Sequence, residues 1–120
     1  MLQVEADPSK NLLEITFSGR VTAEELKKNL PEIEVLLKTL QPGFRLLTDL
    51  SGLDSMDLDC APYIERSMDL VRDAGISKVV RVIPDPRKDI GLKIMSMFHY
   101  PRKVQIVTCE SLAEAAGVLG

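Results

Sequence analysis

The chain has 120 residues, of which 45% are hydrophobic and 28% are charged, a composition typical of a soluble globular protein. This length is enough for a single domain over residues 1–120 with one modest core. The net charge of −3 and the aromatic content of 4% exclude the basic face and stacking aromatics typical of nucleic-acid binding.

The first third of the chain predicts a hairpin followed by a helix. Leu2–Ala6 and Leu13–Phe17 alternate apolar and polar residues as half-buried strands do, and the second strand is expected to stop at Ser18-Gly19. Thr22 and Glu25 have the spacing of a helix capping box. Pro31 is expected to kink or restart this helix, because it has no N–H for the carbonyl of Lys27. Its apolar stripe comprises Leu26, Leu30, Ile33, Leu37 and Leu40.

The middle of the chain predicts a strand, a loop and a helix. Phe44–Leu50 is more continuously apolar than the first two strands, which favours an interior strand, and a polar loop is predicted from Ser51 to Asp57. A second helix follows and ends at Ala74–Gly75. Its buried face is expected to contain Ile64, Met68 and Val71.

The last third predicts two strands and two helices. Lys78–Ile83 is rich in β-branched residues, as strands are, and Val104–Val107 is the fifth predicted strand. A third helix is expected to begin at Asp85 and Pro86, and a fourth at Ser111. The apolar face of the third helix would contain Ile90, Ile94 and Met97.

The predicted elements follow the order β-β-α-β-α-β-α-β-α. Strand–helix–strand units with right-handed crossovers produce a parallel sheet covered by helices. The first strand should be the antiparallel exception, because a hairpin joins it to the second. The predicted fold class is therefore α/β, with a mixed, mostly parallel five-stranded sheet and about four helices.

The segment after the third strand resembles a known family signature. It reads Thr48-Asp49-Leu50-Ser51-Gly52-Leu53-Asp54-Ser55-Met56-Asp57-Leu58-Asp59-Cys60. This is similar to the pattern of the STAS domain (sulfate transporter and anti-sigma-factor antagonist), in its SpoIIAA-like branch, whose members are often described as STAS/SEC14 domain proteins. The matching residues are Asp49, Leu50, Ser51, Met56 and Asp57.

The next three residues depart from that pattern. Partner-switching STAS proteins carry hydroxyl residues here, one of which a partner kinase phosphorylates, followed by Gly. In this chain the hydroxyl positions hold Leu58 and Asp59, which cannot accept phosphate by that chemistry, and Cys60 replaces the Gly. Asp59 is interpreted first as a cap for the second helix. The alternative is that it acts as a permanent anion where relatives carry a phosphate.

The resemblance implies a non-enzymatic regulatory module that binds a protein partner without the usual serine phosphorylation. The candidate partner-binding residues are Asp49, Ser51, Ser55, Met56, Asp57 and Asp59.

An alternative function is a carrier or sensor of a small apolar or lipid-like ligand. This rests on an apolar segment rich in Met and aromatic residues, for which plain core packing is the other explanation. The segment contains Met95, Met97, Phe98, His99 and Tyr100. A homodimer is also compatible with a domain of this size.

Metal, cofactor and hydrolase chemistry find no support in the sequence. Cys60 and Cys109 do not form a zinc-type cluster and are predicted to be buried free thiols. The aspartates at 49, 54, 57 and 59 do not have calcium-loop spacing. A triad of Ser51 or Ser55 with His99 and Asp49 lacks the nucleophile-elbow motif, so no catalytic residue, metal or cofactor is expected. With no membrane-length apolar run and no signal peptide, the predicted location is cytoplasmic.

Overall fold

The computed structural model describes residues 1–83, 85 and 99–120, and five strands form one sheet in it. The strands occur in space in the same order as in the chain. β1 and β2 are antiparallel, and every later neighbour pair is parallel. The mixed, mostly parallel sheet predicted from the sequence is thus confirmed. The strands are β1 Leu2–Asp7, β2 Leu12–Val21, β3 Arg45–Met56, β4 Lys78–Val82 and β5 Gln105–Cys109.

The described residues form three α-helices and one short 3-10 turn. The predicted helix that starts at Asp85 and Pro86, with its apolar face of Ile90, Ile94 and Met97, lies outside the described residues apart from Asp85 itself. No helix in the described part of the chain is long and apolar enough to cross a membrane. The helices are α1 Ala23–Leu37, α2 Ala61–Asp73 and α3 Leu112–Leu119, and the 3-10 turn is Leu58–Cys60.

The capping box of α1 forms as the sequence predicts. The Thr22 hydroxyl accepts from the Glu25 amide at 3.3 Å, and the Glu25 carboxylate accepts from the Thr22 amide at 3.2 Å. Leu26, Leu30 and Ile33 are buried. The helix continues across Pro31 without a restart and ends at Leu37.

Within the described residues, two helices pack on one face of the sheet and one helix packs on the other. α1 and α2 pack on one face over the main core, which includes Leu13, Phe44 and Val79. α3 packs on the other face, where Val80 and Val82 of β4 are fully buried. Two basic side chains secure the carboxyl end of α3, because Lys78 Nζ donates to the Val118 carbonyl at 2.9 Å and Arg45 donates to the Leu119 carbonyl. Cations are favourable at this negative end of a helix.

β2 and β3 are both longer than the sequence predicts. β2 does not stop at Ser18-Gly19 but continues to Val21, and β3 continues through Ser51 to Met56, where a polar loop was expected. The two extensions pair with each other, with register shifts between Thr16 and Ser18 and between Gly19 and Arg20. Such bulges bend a strand and often occur next to functional sites. The predicted loop is therefore mostly a strand that extends beyond β4.

Candidate functional site

The candidate partner-binding residues lie along the far half of β3 and the 3-10 turn that follows it. We call this region, residues 49–59, the β3-end surface. β4 pairs with β3 only as far as Asp49, so beyond that point β2 is the only described strand that pairs with β3. Gly52, Asp54 and Ser55 are exposed there, and Leu53 and Met56 are half-buried. The segment thus presents backbone and polar side chains to solvent on a defined strand.

An ion pair fixes the end of this surface. Arg20, at the end of β2, donates from Nε and Nη2 to the two carboxylate oxygens of Asp57, at 3.2 and 3.0 Å. The pKa of Arg20 is raised, first by these hydrogen bonds and then by the charge of Asp57. The Asp57 amide also donates to the Val21 carbonyl at 3.3 Å. Bidentate pairs of this kind impose a defined geometry, so the chain enters the 3-10 turn in a fixed direction.

The 3-10 turn divides its side chains between core and solvent. Cys60 is buried, and its Sγ lies 3.6 Å from the Val21 carbonyl. Leu58, two residues earlier, is 96% exposed. The Cys60 amide donates to the Asp57 carbonyl at 3.0 Å and closes the turn between them. The turn therefore holds an apolar side chain almost wholly in solvent, flanked by Asp57 and Asp59.

The prediction that Asp59 caps the second helix is wrong. The residue at the N-cap position of α2 is Cys60, and no side chain makes a capping hydrogen bond there. Asp59 lies within the 3-10 turn and is exposed. The chain forms the 3-10 turn Leu58–Cys60 before α2 begins at Ala61. The Asp59 carboxylate is therefore exposed to solvent and does not cap the amides of α2. Its role as a permanent anion stays open.

The other members of the predicted site differ in exposure. The Asp49 carboxylate accepts from the Ser51 amide at 3.0 Å and from the Ser51 hydroxyl at 2.6 Å, so its hydrogen bonds are made locally within β3. Ser55 is exposed and Met56 packs partly against the core. Of the residues predicted for this site, Ser51, Ser55 and Asp59 are therefore the ones exposed to a partner.

The second predicted site is described only in part, because Met95, Met97 and Phe98 lie outside the described residues. His99 contacts α2: its Nδ1 lies 2.7 Å from Asp69 Oδ1, and its Nε2 lies 3.8 Å from Glu65 Oε2. These contacts differ from those of a triad with Ser51 and Asp49. Tyr100 is buried, and this burial raises its pKa to about 12.

Both cysteines are buried free thiols, as predicted. Burial raises the pKa of Cys60 and of Cys109, and nearby carboxylates add to the shift. Since the thiolate is the reactive form, we expect neither thiol to react with Ellman's reagent at pH 8 in the folded protein. Both should react at once in 6 M guanidinium chloride. Rapid reaction of one thiol without denaturant would contradict the burial described here.

Two residues of the site escaped the sequence analysis. Leu58 was considered only as a residue that cannot be phosphorylated, although an isolated leucine between aspartates is itself a signal of an exposed apolar group. Arg20 had no signal, because its partner Asp57 is 37 residues away in the chain. In the described ranges, no three His, Cys, Asp or Glu residues are grouped as metal ligands would be.

Comparisons with known proteins give structural neighbours only. No family model and no curated protein matches the chain. A DUF3478-family protein from Shewanella loihica PV-4 with a SpoIIAA-like fold is 17% identical, with a TM-score of 0.73, over 100% of this chain and 93% of that one. The unphosphorylated anti-sigma factor antagonist SpoIIAA is 14% identical, with a TM-score of 0.63, over 98% and 96%.

The phosphorylated form of the Bacillus cell fate determinant SpoIIAA is also similar. It is 13% identical, with a TM-score of 0.67, and the match covers 100% of both chains. At these identities the likeness is one of fold. Together with the parallel sheet and its antiparallel first strand, it shows that the chain adopts the SpoIIAA-like, STAS-type fold.

Proposed function

We propose that the protein is a non-enzymatic regulatory module that binds a protein partner through the β3-end surface. The observation that carries the proposal is the exposure of Leu58 at the tip of a turn fixed by the Arg20–Asp57 pair. A turn whose backbone already has its bound conformation needs less ordering on association, which favours affinity. Leu58 would be the apolar anchor of the interface. The likeness to anti-sigma factor antagonists supports a regulatory role.

The charge around Leu58 indicates what kind of partner fits. Asp54 and Asp59 are exposed, whereas the carboxylate of Asp57, beside Leu58 in the chain, is paired with Arg20. α1 contacts the 3-10 turn, and Glu24 and Glu25 lie in the first turn of that helix. A complementary partner would have an apolar pocket with a rim of Lys or Arg. Such charge complementarity mainly raises association rates and specificity.

The proposed module would not be controlled by phosphorylation in the turn. Leu58 has no hydroxyl, and Asp59 already carries about one negative charge, compared with about −1.5 to −2 for a phosphoserine. Since Asp59 faces solvent, a partner would meet that charge in every molecule. The protein would then always present the same form of the turn to its partner, with no switch between two forms.

The experiment compares three proteins as baits in a lysate of the source cells. They are the wild type, Leu58→Ser, and Val35→Ser as a matched control. Val35 is likewise an exposed aliphatic residue, with 62% of its surface accessible, but it lies in the last turn of α1, outside the β3-end surface. We expect the wild type and Val35→Ser to capture the same protein, and Leu58→Ser to bind it at least tenfold more weakly. That factor corresponds to about 1.4 kcal/mol, within the range of an anchor residue.

The captured partner is then purified and titrated at two salt concentrations. Asp59→Asn should weaken the complex less than Leu58→Ser and reduce its salt dependence, because it removes a rim charge. Unchanged circular dichroism would show that the variants fold. If all three baits bind the partner equally, or if none captures a specific protein, the proposal is wrong.

A further inference from the structure

The outer edge of β1 is a sheet edge to which no other strand of the described chain is paired. β1 comes first in the strand order, and its one described neighbour is β2. The Ser18 amide donates to the Met1 carbonyl at 2.9 Å, and the Met1 nitrogen donates back to the Ser18 carbonyl. Hydrogen-bonded and non-hydrogen-bonded pairs alternate along an antiparallel ladder. The N–H and C=O groups that point away from β2 are therefore those of Leu2, Val4 and Ala6.

β1 has few of the features that usually protect an edge strand from pairing with another chain. Such strands are commonly very short, bulged, or interrupted by Pro or Lys. β1 is six residues long, contains neither Pro nor Lys, and pairs with β2 at all six positions without a register shift. A regular strand of this length presents its backbone as a template for an added strand.

The two faces of the sheet beside this edge differ in chemistry. Leu2 and Val4 are buried in the core on the face that α1 covers. Gln3 and Glu5 are exposed on the opposite face, where α3 packs against β4 and β5. Successive side chains of a strand point to opposite faces. A strand added to β1 must therefore alternate apolar residues on the α1 face with polar residues beside Gln3 and Glu5.

The polar face is acidic next to this edge. Glu5 lies directly opposite Glu14 of β2, and like charges in directly opposite positions destabilise a sheet. The described cations of β3 and β4 on the same face are Arg45 and Lys78, and both donate to carbonyls at the carboxyl end of α3. A cation supplied by another molecule would offset the repulsion between Glu5 and Glu14.

We propose that the edge of β1 binds an extended segment of a partner protein in which apolar residues alternate with Lys or Arg. The apolar residues of the segment exchange main-chain hydrogen bonds with Leu2, Val4 and Ala6, and a basic side chain lies opposite Glu5. In this mode of recognition the main-chain hydrogen bonds supply affinity and the alternate side chains supply specificity. The inference goes beyond the role of the β3-end surface and does not depend on it.

A second copy of this chain is a poorer match for the same edge. Two antiparallel β1 strands related by a two-fold axis would bring both pairs of Glu5 and Glu14 to the same face of one continuous sheet. The like charges would accumulate there, whereas a basic segment neutralises them. Charge complementarity therefore favours a basic partner over self-association.

The experiment is an NMR titration of the ¹⁵N-labelled protein with an end-capped octapeptide of alternating valine and lysine. We expect saturable shifts of the amides of residues 2–6, with slower hydrogen exchange at Leu2, Val4 and Ala6. An octapeptide of alternating valine and glutamate should bind at least tenfold more weakly. Methylation of the valine backbone nitrogens removes the donors that face β1 and should also weaken binding at least tenfold. Methylation of the lysine backbone nitrogens alters the other edge of the peptide and should change the Kd less than threefold.

Two variants of the protein test the named residues. Glu5→Gln should weaken binding of the valine–lysine peptide at least threefold and reduce its salt dependence. Glu32→Gln removes an exposed charge from α1 and should leave the Kd unchanged. Ala6→Pro removes one outward N–H at an edge position, where proline is tolerated, and should weaken binding about tenfold. The peptide series and Glu5→Gln keep the proposal testable if Ala6→Pro does not fold.

Three results would overturn the proposal. The first is the absence of saturable shifts at residues 2–6. The second is equal binding of the two methylated peptides, or equal binding by the wild type and Glu5→Gln. The third is slow exchange of the β1 amides without peptide in a dimeric protein, which would make a second copy the occupant of the edge.

Discussion

Replacing Phe44 by alanine is expected to lower the free energy of unfolding by about 3–5 kcal/mol, the usual range for a buried phenylalanine. Phe44 is 1% exposed and lies just before β3, in the core under α1 and α2. Its carbonyl accepts from both the amide and the hydroxyl of Ser77, at 2.9 and 3.1 Å. These backbone contacts hold the chain in place, so the site cannot easily collapse around a smaller side chain.

The measurement is urea unfolding followed by circular dichroism. With an m-value of about 1–3 kcal/mol/M, the midpoint should fall by at least about 1 M. Leu112→Ala is the control, because Leu112 is 50% exposed at the start of α3, and its midpoint should change little. A loss below about 1.5 kcal/mol for Phe44→Ala would mean that the core is less tightly packed at this point than described.

The second large effect is expected for Gly75→Ala, at about 2–3 kcal/mol. Gly75 follows α2 with φ +95°, and a Cβ added there would lie 3.1 Å from Pro42 Cβ and 3.2 Å from Pro42 Cα. A side chain at positive φ costs about 1–2 kcal/mol, and the close contact adds to this. The Gly75 carbonyl also accepts from the Gly43 amide at 2.7 Å, so the two turns cannot separate freely.

Substitutions at two other glycines, measured in the same unfolding experiment, distinguish the cost of backbone strain from the cost of the contact with Pro42. Gly43 has φ +90° but open space around its Cβ position, so Gly43→Ala should show the strain alone and cost less than Gly75→Ala. Gly117, inside α3, has no atom within 4 Å of an added Cβ. Gly117→Ala should therefore stabilise the protein, by about 0.5–1 kcal/mol. Equal effects at Gly75 and Gly43 would show that the contact with Pro42 has no cost.

Features that depend on nearby residues could be predicted from the sequence. The Thr22–Glu25 capping box, the buried stripe of α2 and the glycine at the end of that helix all rest on residues within one or two helical turns. The hairpin of β1 and β2 is similarly local. The resemblance around Asp49–Asp57 indicated the fold, which the structural neighbours confirm.

The extension of β3 could not be predicted, because it depends on a distant partner. Ser51, Gly52 and Asp54 are poor strand residues on their own. The segment is extended because Ser18–Val21 pair with Gly52, Leu53, Ser55 and Met56, while Ser51 and Asp54 fall at the two irregularities in register. Tertiary pairing overrides local propensity at this point, and it moves the candidate site from a loop onto a strand. The shift of Asp59 from a cap to the outside of a 3-10 turn has the same kind of origin, since Arg20 positions Asp57 just before it.

The strands have the same order in the sheet as in the chain, and this order affects how the protein folds during its synthesis. Each strand from β2 onwards pairs with the strand synthesised just before it. A chain leaving the ribosome can therefore add strands to one growing edge, and no strand has to be inserted between two that are already paired. Contacts between neighbours in sequence also carry a lower loop-closure cost, which favours fast folding. We expect the sheet to assemble from the β1–β2 hairpin towards β5, with little exposure of unpaired edges to aggregation.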